Sequence, residues 1–202
     1  MKKLYTLFSI LVVSAALFTG CKKDADPGAG SGEFPDCTIS ITKNEIEFAD
    51  GEWTFRGDWK YHGINYHDVV ILSVSGGNFT ATSGTATVTA NIESIYNIST
   101  DDISNFDSAT EDQKKQFIVS KINSEDELDM SVSTSDSITI NGHNITLVHT
   151  YTSSDVTAAT SSITSSYTTI CNYAESIKTN SAKTKYVFDF SSHNEMIYIY
   201  KN

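Results

Sequence analysis

The stretch GEWTFRGDWKYHG, residues 51–63, alternates large aromatic and polar side chains with a period of two. Its aromatic residues at odd positions are Trp53, Phe55, Trp59 and Tyr61, and the even positions between them carry polar or charged side chains. Alternation of this kind predicts a β-strand with one apolar face. Burial of four such rings removes about 150–250 Å² each from water, which favours turning them inward.

The aromatic stripe has two interpretations. In the first it is a wall of the core, and in the second it is an exposed platform on which sugar rings stack. An intermediate arrangement places Trp53 and Phe55 in the core and leaves Trp59 and Tyr61 at the mouth of a cavity. Trp59 and Tyr61 are therefore the candidate ligand-facing residues, because the interior of a small barrel commonly holds a ligand.

The same period-two alternation recurs along the chain and predicts an antiparallel sheet of about eight strands. The segments with this pattern are residues 38–42, 52–62, 67–75, 78–92, 128–133, 137–140, 144–151, 185–190 and 196–201. Most are joined by short hairpins. Turns are predicted at Gly76-Gly77, at 191–194 and at Asn141-Gly142, where a type I′ turn needs positive φ at both central residues.

Two segments break the alternation and predict helices. Residues 109–123 follow Ser108, which stands three positions before Glu111 as in a capping box. Residues 155–178 carry apolar side chains at helical spacings, although their many threonines lose rotamer freedom in a helix. A strand over residues 169–173 is the competing interpretation.

Strands linked by hairpins, with one or two helices inserted, predict a mainly β fold of the antiparallel barrel or sandwich type. Gly51-Glu52-Trp53 resembles the G-x-W at the head of the first strand in lipocalins. The resemblance implies a lipocalin-like barrel in which Trp53 plugs the closed end. The lipocalins' closing arginine has no counterpart, since Arg56 is the only arginine of the chain.

The first twenty residues have the features of an export signal: Lys2 and Lys3, then an apolar run over residues 4–18. The following junction, Leu-Phe-Thr-Gly-Cys at 17–21, resembles the lipobox of bacterial lipoproteins. That resemblance implies cleavage after residue 20, acylation of Cys21 and anchoring of the chain in a membrane, because several acyl chains hold a protein to a bilayer. Lysine after the lipidated cysteine is similar to signals for the outer membrane, and either face of that membrane remains open.

Residues 21–36 are rich in Gly, Ala, Ser, Pro and charge, which predicts a flexible tether. Residues 37–202 then form one antiparallel β domain, long enough for a substantial core. The formal charge of the whole chain is −11, and loss of Lys2 and Lys3 with the signal makes it −13. This acidic balance argues against nucleic acid as a partner.

The domain contains two cysteines, Cys37 near its start and Cys171 near its end. In an oxidising envelope such a pair predicts a disulfide that closes a long loop. The alternative is a pair of buried free thiols.

The sequence contains no motif for nucleophilic catalysis and no zinc signature. His62 and His67, with Asp68 beside them, offer at most an incomplete metal set, and the acidic run 125–129 lacks the order of a calcium loop. We therefore expect no catalytic residue, metal or cofactor. The sequence predicts a non-enzymatic lipoprotein that binds a small apolar ligand or a host or envelope macromolecule. The alternative is a structural or complex-forming lipoprotein with a filled core, and a glycan-binding or glycan-acting protein is a further one.

Overall fold

The computed structural model describes residues 34–124 and 132–202. The predicted signal, Cys21 and most of the predicted tether lie outside these residues, as does most of the predicted strand 128–133.

Nine strands and three helices build the described part of the chain. The strands are β1 Ile39–Ser40, β2 Gly51–Tyr61, β3 Ile64–Ser75, β4 Asn78–Asn91, β5 Ser137–Asn141, β6 Asn144–Thr150, β7 Ser176–Thr179, β8 Lys185–Phe190 and β9 Glu195–Lys201. The helices are α1 Thr100–Ser108, α2 Glu111–Ser124 and α3 Ser153–Tyr173. Single 3₁₀ turns follow β1, β4 and β8.

All nine strands belong to one sheet, in the order β1-β7-β8-β9-β2-β3-β4-β6-β5. Every neighbouring pair is antiparallel. The prediction of a mainly β, antiparallel fold with inserted helices is confirmed. Within the described residues the outer strands β1 and β5 do not pair with each other, so the sheet is open and not closed into a barrel.

Strand β3 shows how the sheet divides its two faces. Its residues alternate regularly between buried and more exposed positions from Ile64 to Ser75. Because side chains alternate across a strand, the buried residues define one inner face. Ile64 and Tyr66 lie in a first apolar cluster, Val70 and Leu72 lie in a second, and Asp68 lies between them on the same face.

Helices cover each inner cluster. The first cluster takes Phe106 from α1 and Ile118 and Ile122 from α2, and the second takes Ile163 and Ile170 from α3. These positions recur at helical spacing, so each helix turns one apolar stripe toward the sheet. None of the helices within residues 34–124 and 132–202 combines the length and the apolar character needed to cross a bilayer.

The outer face of the sheet is partly covered as well. Cys37, Val187, Met196 and Tyr198 form a third buried cluster there, with Phe34 packed against it. The guanidinium of Arg56 lies 4.5 Å from the centre of the Tyr198 ring. The even positions of β2 therefore do not all face water, although their alternation in the sequence suggested it.

The hairpins are confirmed, but two turns differ from the prediction. The first turn consists of His62 and Gly63, with φ of 48° and 83°, and β3 begins directly at Ile64. Residues 64–66, expected in the turn, are strand. In the later hairpin Asn141 pairs with Asn144, so Gly142 and His143 are the central residues. A glycine at the first central position is typical of a type II′ turn.

The helices also differ from the prediction at their ends. Helix α2 starts at Glu111 because its capping box is formed by Thr110 and Gln113, not by Ser108 and Glu111. Helix α3 ends at Tyr173, since the chain enters β7 at Ser176. The competing strand over 169–173 is wrong. Helix α1 and strand β7 were not predicted.

Candidate functional site

Trp59 and Tyr66 form the centre of an aromatic site at one end of the inner face. They are directly opposite each other on β2 and β3, and their rings are stacked, with centroids 5.1 Å apart and an interplanar angle of 7°. A Cβ added at Gly57 would lie 3.5 Å from Cζ3 of Trp59. The indole of Trp59 thus lies alongside Gly57 at ordinary van der Waals distance, and β2 passes through Gly57 without a shift in register.

Glu195 lies on the other side of Trp59, as its direct partner on β9. Only 7% of Glu195 is exposed, and burial raises the pKa of its carboxyl to about 8. Within residues 34–124 and 132–202, Oε1 of Glu195 and Nε1 of Trp59 are both buried without a hydrogen-bond partner. A buried acceptor and a buried donor therefore stand on neighbouring strands, on the same face, without satisfying each other.

Aromatic rings continue from Trp59 to the surface. The ring of Tyr61 stacks on His62 with centroids 3.8 Å apart, and His62 contacts the ring of Tyr96 at 4.8 Å. Tyr96 is 58% exposed. We call the set Trp59, Tyr61, His62, Tyr66 and Tyr96 the aromatic end of the domain.

The backbone holds these surface rings together. The N–H of Tyr96 donates a 2.9 Å hydrogen bond to the carbonyl of His62. A Cβ at Gly63 would lie only 1.8 Å from the carbonyl oxygen of Ser94, and Gly63 has a φ of 83°. Only glycine fits such an approach at positive φ, so the hairpin tip is fixed against the segment that carries Tyr96.

A buried carboxyl lies further along the same face. Asp68 is 3% exposed and accepts a 2.6 Å hydrogen bond from the hydroxyl of Tyr151. Burial raises the pKa of Asp68 to about 7, against the opposing effect of that hydrogen bond. Asp68 is opposite Gly57 on β2, so the two buried carboxyls flank the strand that carries Trp59.

Two histidines each bridge two carboxylates near the β5–β6 hairpin. His149 contacts Asp136 through Nδ1 and Asp155 through Nε2, at 2.9 and 3.2 Å. Burial opposes protonation of His149, but its carboxylate partners raise its pKa overall. His143 contacts Glu93 and Asp107 in the same way, and its bonds to Asp107 and then Glu93 raise its pKa.

The other histidines do not form a metal site. His67 lies on the outer face, where its Nδ1 contacts Asp58, and Asp58 also accepts hydrogen bonds from Arg56. Asp68 faces inward, since neighbouring residues of a strand point to opposite faces. His62, His67 and Asp68 are therefore not brought together. Within the described ranges no group of three or more His, Cys, Asp and Glu side chains is arranged to hold a metal ion.

A cavity of about 10 Å³ lies between β3, β4, β6 and α2, lined by apolar residues that include Ile64, Ile118 and Ile145. That volume holds at most one water molecule. This cavity is far smaller than the several hundred Å³ that a small apolar ligand needs.

Both cysteines of the domain are free, buried thiols. Cys37 belongs to the outer cluster and Cys171 to the second inner cluster, so the sheet separates them. The predicted disulfide is not formed in the structure, and the alternative of two buried thiols describes it. Cys21 lies outside the described residues.

Comparisons of the chain with protein-family models, with curated proteins and with solved structures found no match.

The sequence singled out Trp59 and Tyr61, and the structure places both at the edge of the first inner cluster. It did not single out Tyr66, Tyr96 or Glu195. Tyr66 was placed in the turn between the predicted strands 52–62 and 67–75, and Glu195 directly preceded the predicted strand 196–201. A usable sequence signal for Tyr66 was the alternation of apolar and polar residues in Ile64-Asn65-Tyr66-His67, which forms the start of β3.

Proposed function

We propose that this chain is a lipid-anchored protein of a bacterial outer membrane whose β domain binds an envelope or host macromolecule through the aromatic end. The anchor in this proposal is acylated Cys21, and it rests on the signal-like residues 1–20 and the lipobox-like junction before Cys21. The face of the membrane is left open.

The exposed ring of Tyr96 is the observation that supports the binding part of the proposal. Tyr96 is 58% exposed and contacts the ring of His62 at the hairpin tip, and His62 in turn stacks on Tyr61. Aromatic side chains grouped at a surface are typical of binding sites, because they bring large contact area at a small cost in side-chain entropy.

The small size of the cavity beside the aromatic end supports binding at the surface over storage of a small apolar ligand. The cavity beside the aromatic end has about 10 Å³, and Trp53 and Phe55 are 1% exposed in the second cluster. The domain thus combines buried apolar clusters with an aromatic surface for the proposed partner.

The binding face can be tested by photo-crosslinking of the full-length lipoprotein in its own membrane. A photoreactive phenylalanine replaces Tyr96 in one variant and Tyr173 in another. Tyr173 is the matched control, since it is also 58% exposed but ends α3, which packs on the other inner cluster. We expect adducts of discrete mass at position 96 and none at position 173. Equal labelling at both positions, or none at either, contradicts the proposal.

The anchor has its own test. Labelled palmitate should enter the wild-type chain and not the Cys21→Ala variant, which should leave the membrane fraction. A Cys21→Ala protein that still sediments with membranes contradicts the anchor without touching the aromatic end.

A further inference from the structure

The unsatisfied pair at Trp59 and Glu195 has a defined chemistry. Nε1 of Trp59 can only donate a hydrogen bond, while Oε1 of Glu195 can accept one. Both atoms are buried and have no partner within residues 34–124 and 132–202. Burial of a polar atom without a hydrogen bond is costly, so native proteins normally satisfy such atoms or reserve them for a ligand.

A hydroxyl group satisfies both atoms at once. A hydroxyl oxygen accepts from the indole N–H, and its hydrogen is donated to the carboxyl. The two residues are direct cross-strand partners, whose Cβ atoms lie about 4.5–5.5 Å apart in an antiparallel pair. The two side chains therefore project side by side from the same face of the sheet.

The aromatic rings near Trp59 favour one class of hydroxyl-bearing ligand. The rings of Tyr61, His62 and Tyr96 continue outward from Trp59 and provide flat, partly apolar surfaces. A sugar ring has a matching pair of features, an apolar face of C–H groups and a rim of hydroxyls. The formal charge of −11 disfavours acidic saccharides and nucleic acids.

We infer that the aromatic end binds a neutral saccharide, with one hydroxyl of a sugar residue held between Nε1 of Trp59 and the carboxyl of Glu195. This inference rests on the proposed function, because it names the chemical class that the aromatic end recognises. The exposed ring of Tyr96 is the outer contact and the Trp59–Glu195 pair is the inner one. A buried Glu195 in its protonated form can itself donate to the same hydroxyl, which suits a neutral ligand.

The test uses the full-length lipoprotein in detergent, titrated with neutral hexasaccharides of glucose and of mannose in α and β linkages. The chain has two tryptophans, so Trp53→Phe leaves Trp59 as the single indole reporter. Trp53 donates to the carbonyl of Ala49 and lies in the second cluster, which makes Trp53→Phe the matched control for Trp59→Phe. Calorimetry measures the affinity of variants that lack Trp59.

We expect at least one hexasaccharide to shift the Trp59 emission in Trp53→Phe and to bind it as tightly as the wild type. Trp59→Phe keeps an aromatic ring but loses the N–H, and should weaken binding about tenfold. Glu195→Leu should weaken it similarly, while Glu195→Gln, which still accepts and donates, should stay within about threefold. Circular dichroism and urea unfolding of each variant show that it is folded.

The outcomes separate this inference from the proposed function. If no neutral saccharide binds while position 96 still forms its adduct, the partner is a protein, and only the inference fails. If a saccharide binds and neither Trp59→Phe nor Glu195→Leu weakens it, the sugar lies elsewhere and a water molecule fills the gap. If neither saccharides nor adducts are found, both proposals fail.

Discussion

The hydroxyl of Tyr151 donates a 2.6 Å hydrogen bond to Asp68, a carboxyl that lies between the two apolar clusters of the inner face. The Tyr151 ring reaches Asp68 by lying directly over Gly84 on β4. The backbone N–H of Tyr151 also donates a 2.9 Å hydrogen bond to the carbonyl of Gly84. The missing side chain of Gly84 therefore allows this polar contact to form between the two apolar clusters.

Gly84→Ala should destabilise the domain. The added Cβ would stand 2.5 Å from Cδ2 of Tyr151, and displacing that ring also disturbs its bond to Asp68. Overpacking of this kind costs about 1–3 kcal/mol, which urea unfolding measures as a lower midpoint. Gly57→Ala is the control, because its Cβ meets Trp59 at an ordinary 3.5 Å. Equal losses in the two variants would show that strand glycine itself, not the Tyr151 contact, matters.

The buried carboxyl of Glu195 should make the domain less stable in alkaline solution. Burial raises its pKa from 4.5 to about 8. A carboxyl with a raised pKa binds its proton more tightly in the folded state, so its contribution is present at low pH and is lost as the pH rises through this window. Asp68, raised to about 7, acts in the same direction.

Glu195→Gln isolates this effect, because glutamine stays neutral. The rise in the pKa of Glu195 from 4.5 to about 8 corresponds to about 4–5 kcal/mol in the free energy of unfolding. We expect Glu195→Gln to exceed the wild type in free energy of unfolding at about pH 9 and to match it near pH 5. Urea unfolding across this range measures the difference. A pH-independent difference between the two proteins would contradict a buried, protonated Glu195.

His149 should stabilise the domain most strongly in its charged form. It joins Asp136, just before β5, to Asp155 in the first turn of α3, and these carboxylates raise its pKa above 6.5 against the effect of burial. A raised histidine pKa stabilises the fold below pH 6.5, and that contribution is lost as the pH rises through the folded-state value.

The variant His149→Gln should therefore lose about 1 kcal/mol near pH 6, a modest figure because partial exposure screens the pair. The loss should shrink as the pH rises. His193→Gln is the control, since His193 is exposed and its ring shares a hydrogen bond with its neighbour Ser192. Thermal unfolding at several pH values gives the comparison. A deficit that stays constant with pH would assign His149 a packing role instead.

The parts of the fold that the sequence predicted are those fixed by nearby residues. Alternation and glycine turns located the hairpins, because strand period and turn chemistry are local properties. Helix α1 was missed since its cap, Ser99, is followed by Asp102 instead of the usual glutamate or glutamine. Strand β7 has four residues and a weak pattern, and its place beside β8 depends on tertiary pairing.

The site was harder to predict because it depends on pairing between strands that are distant in the sequence. Trp59 stood out as an aromatic residue of an alternating strand. Its partner Glu195 did not, because pairing between β2 and β9 joins distant parts of the chain and no local pattern encodes it. Pairing across the sheet buries this carboxyl, whereas the sequence around it suggests a solvated residue at the start of a strand.

Cys37 and Cys171 should behave as two protected thiols. Burial raises the pKa of both, and a thiol reacts as its thiolate, so the folded protein should react slowly with a chromogenic disulfide reagent. In denaturant without reductant, the wild-type protein should release two equivalents of chromophore, because Cys21, acylated under the proposed anchor, does not react. The double variant Cys37→Ser, Cys171→Ser should release none. Absence of reaction in denatured wild type would restore the disulfide, and the two cysteines would then have to meet despite lying on opposite faces of the sheet.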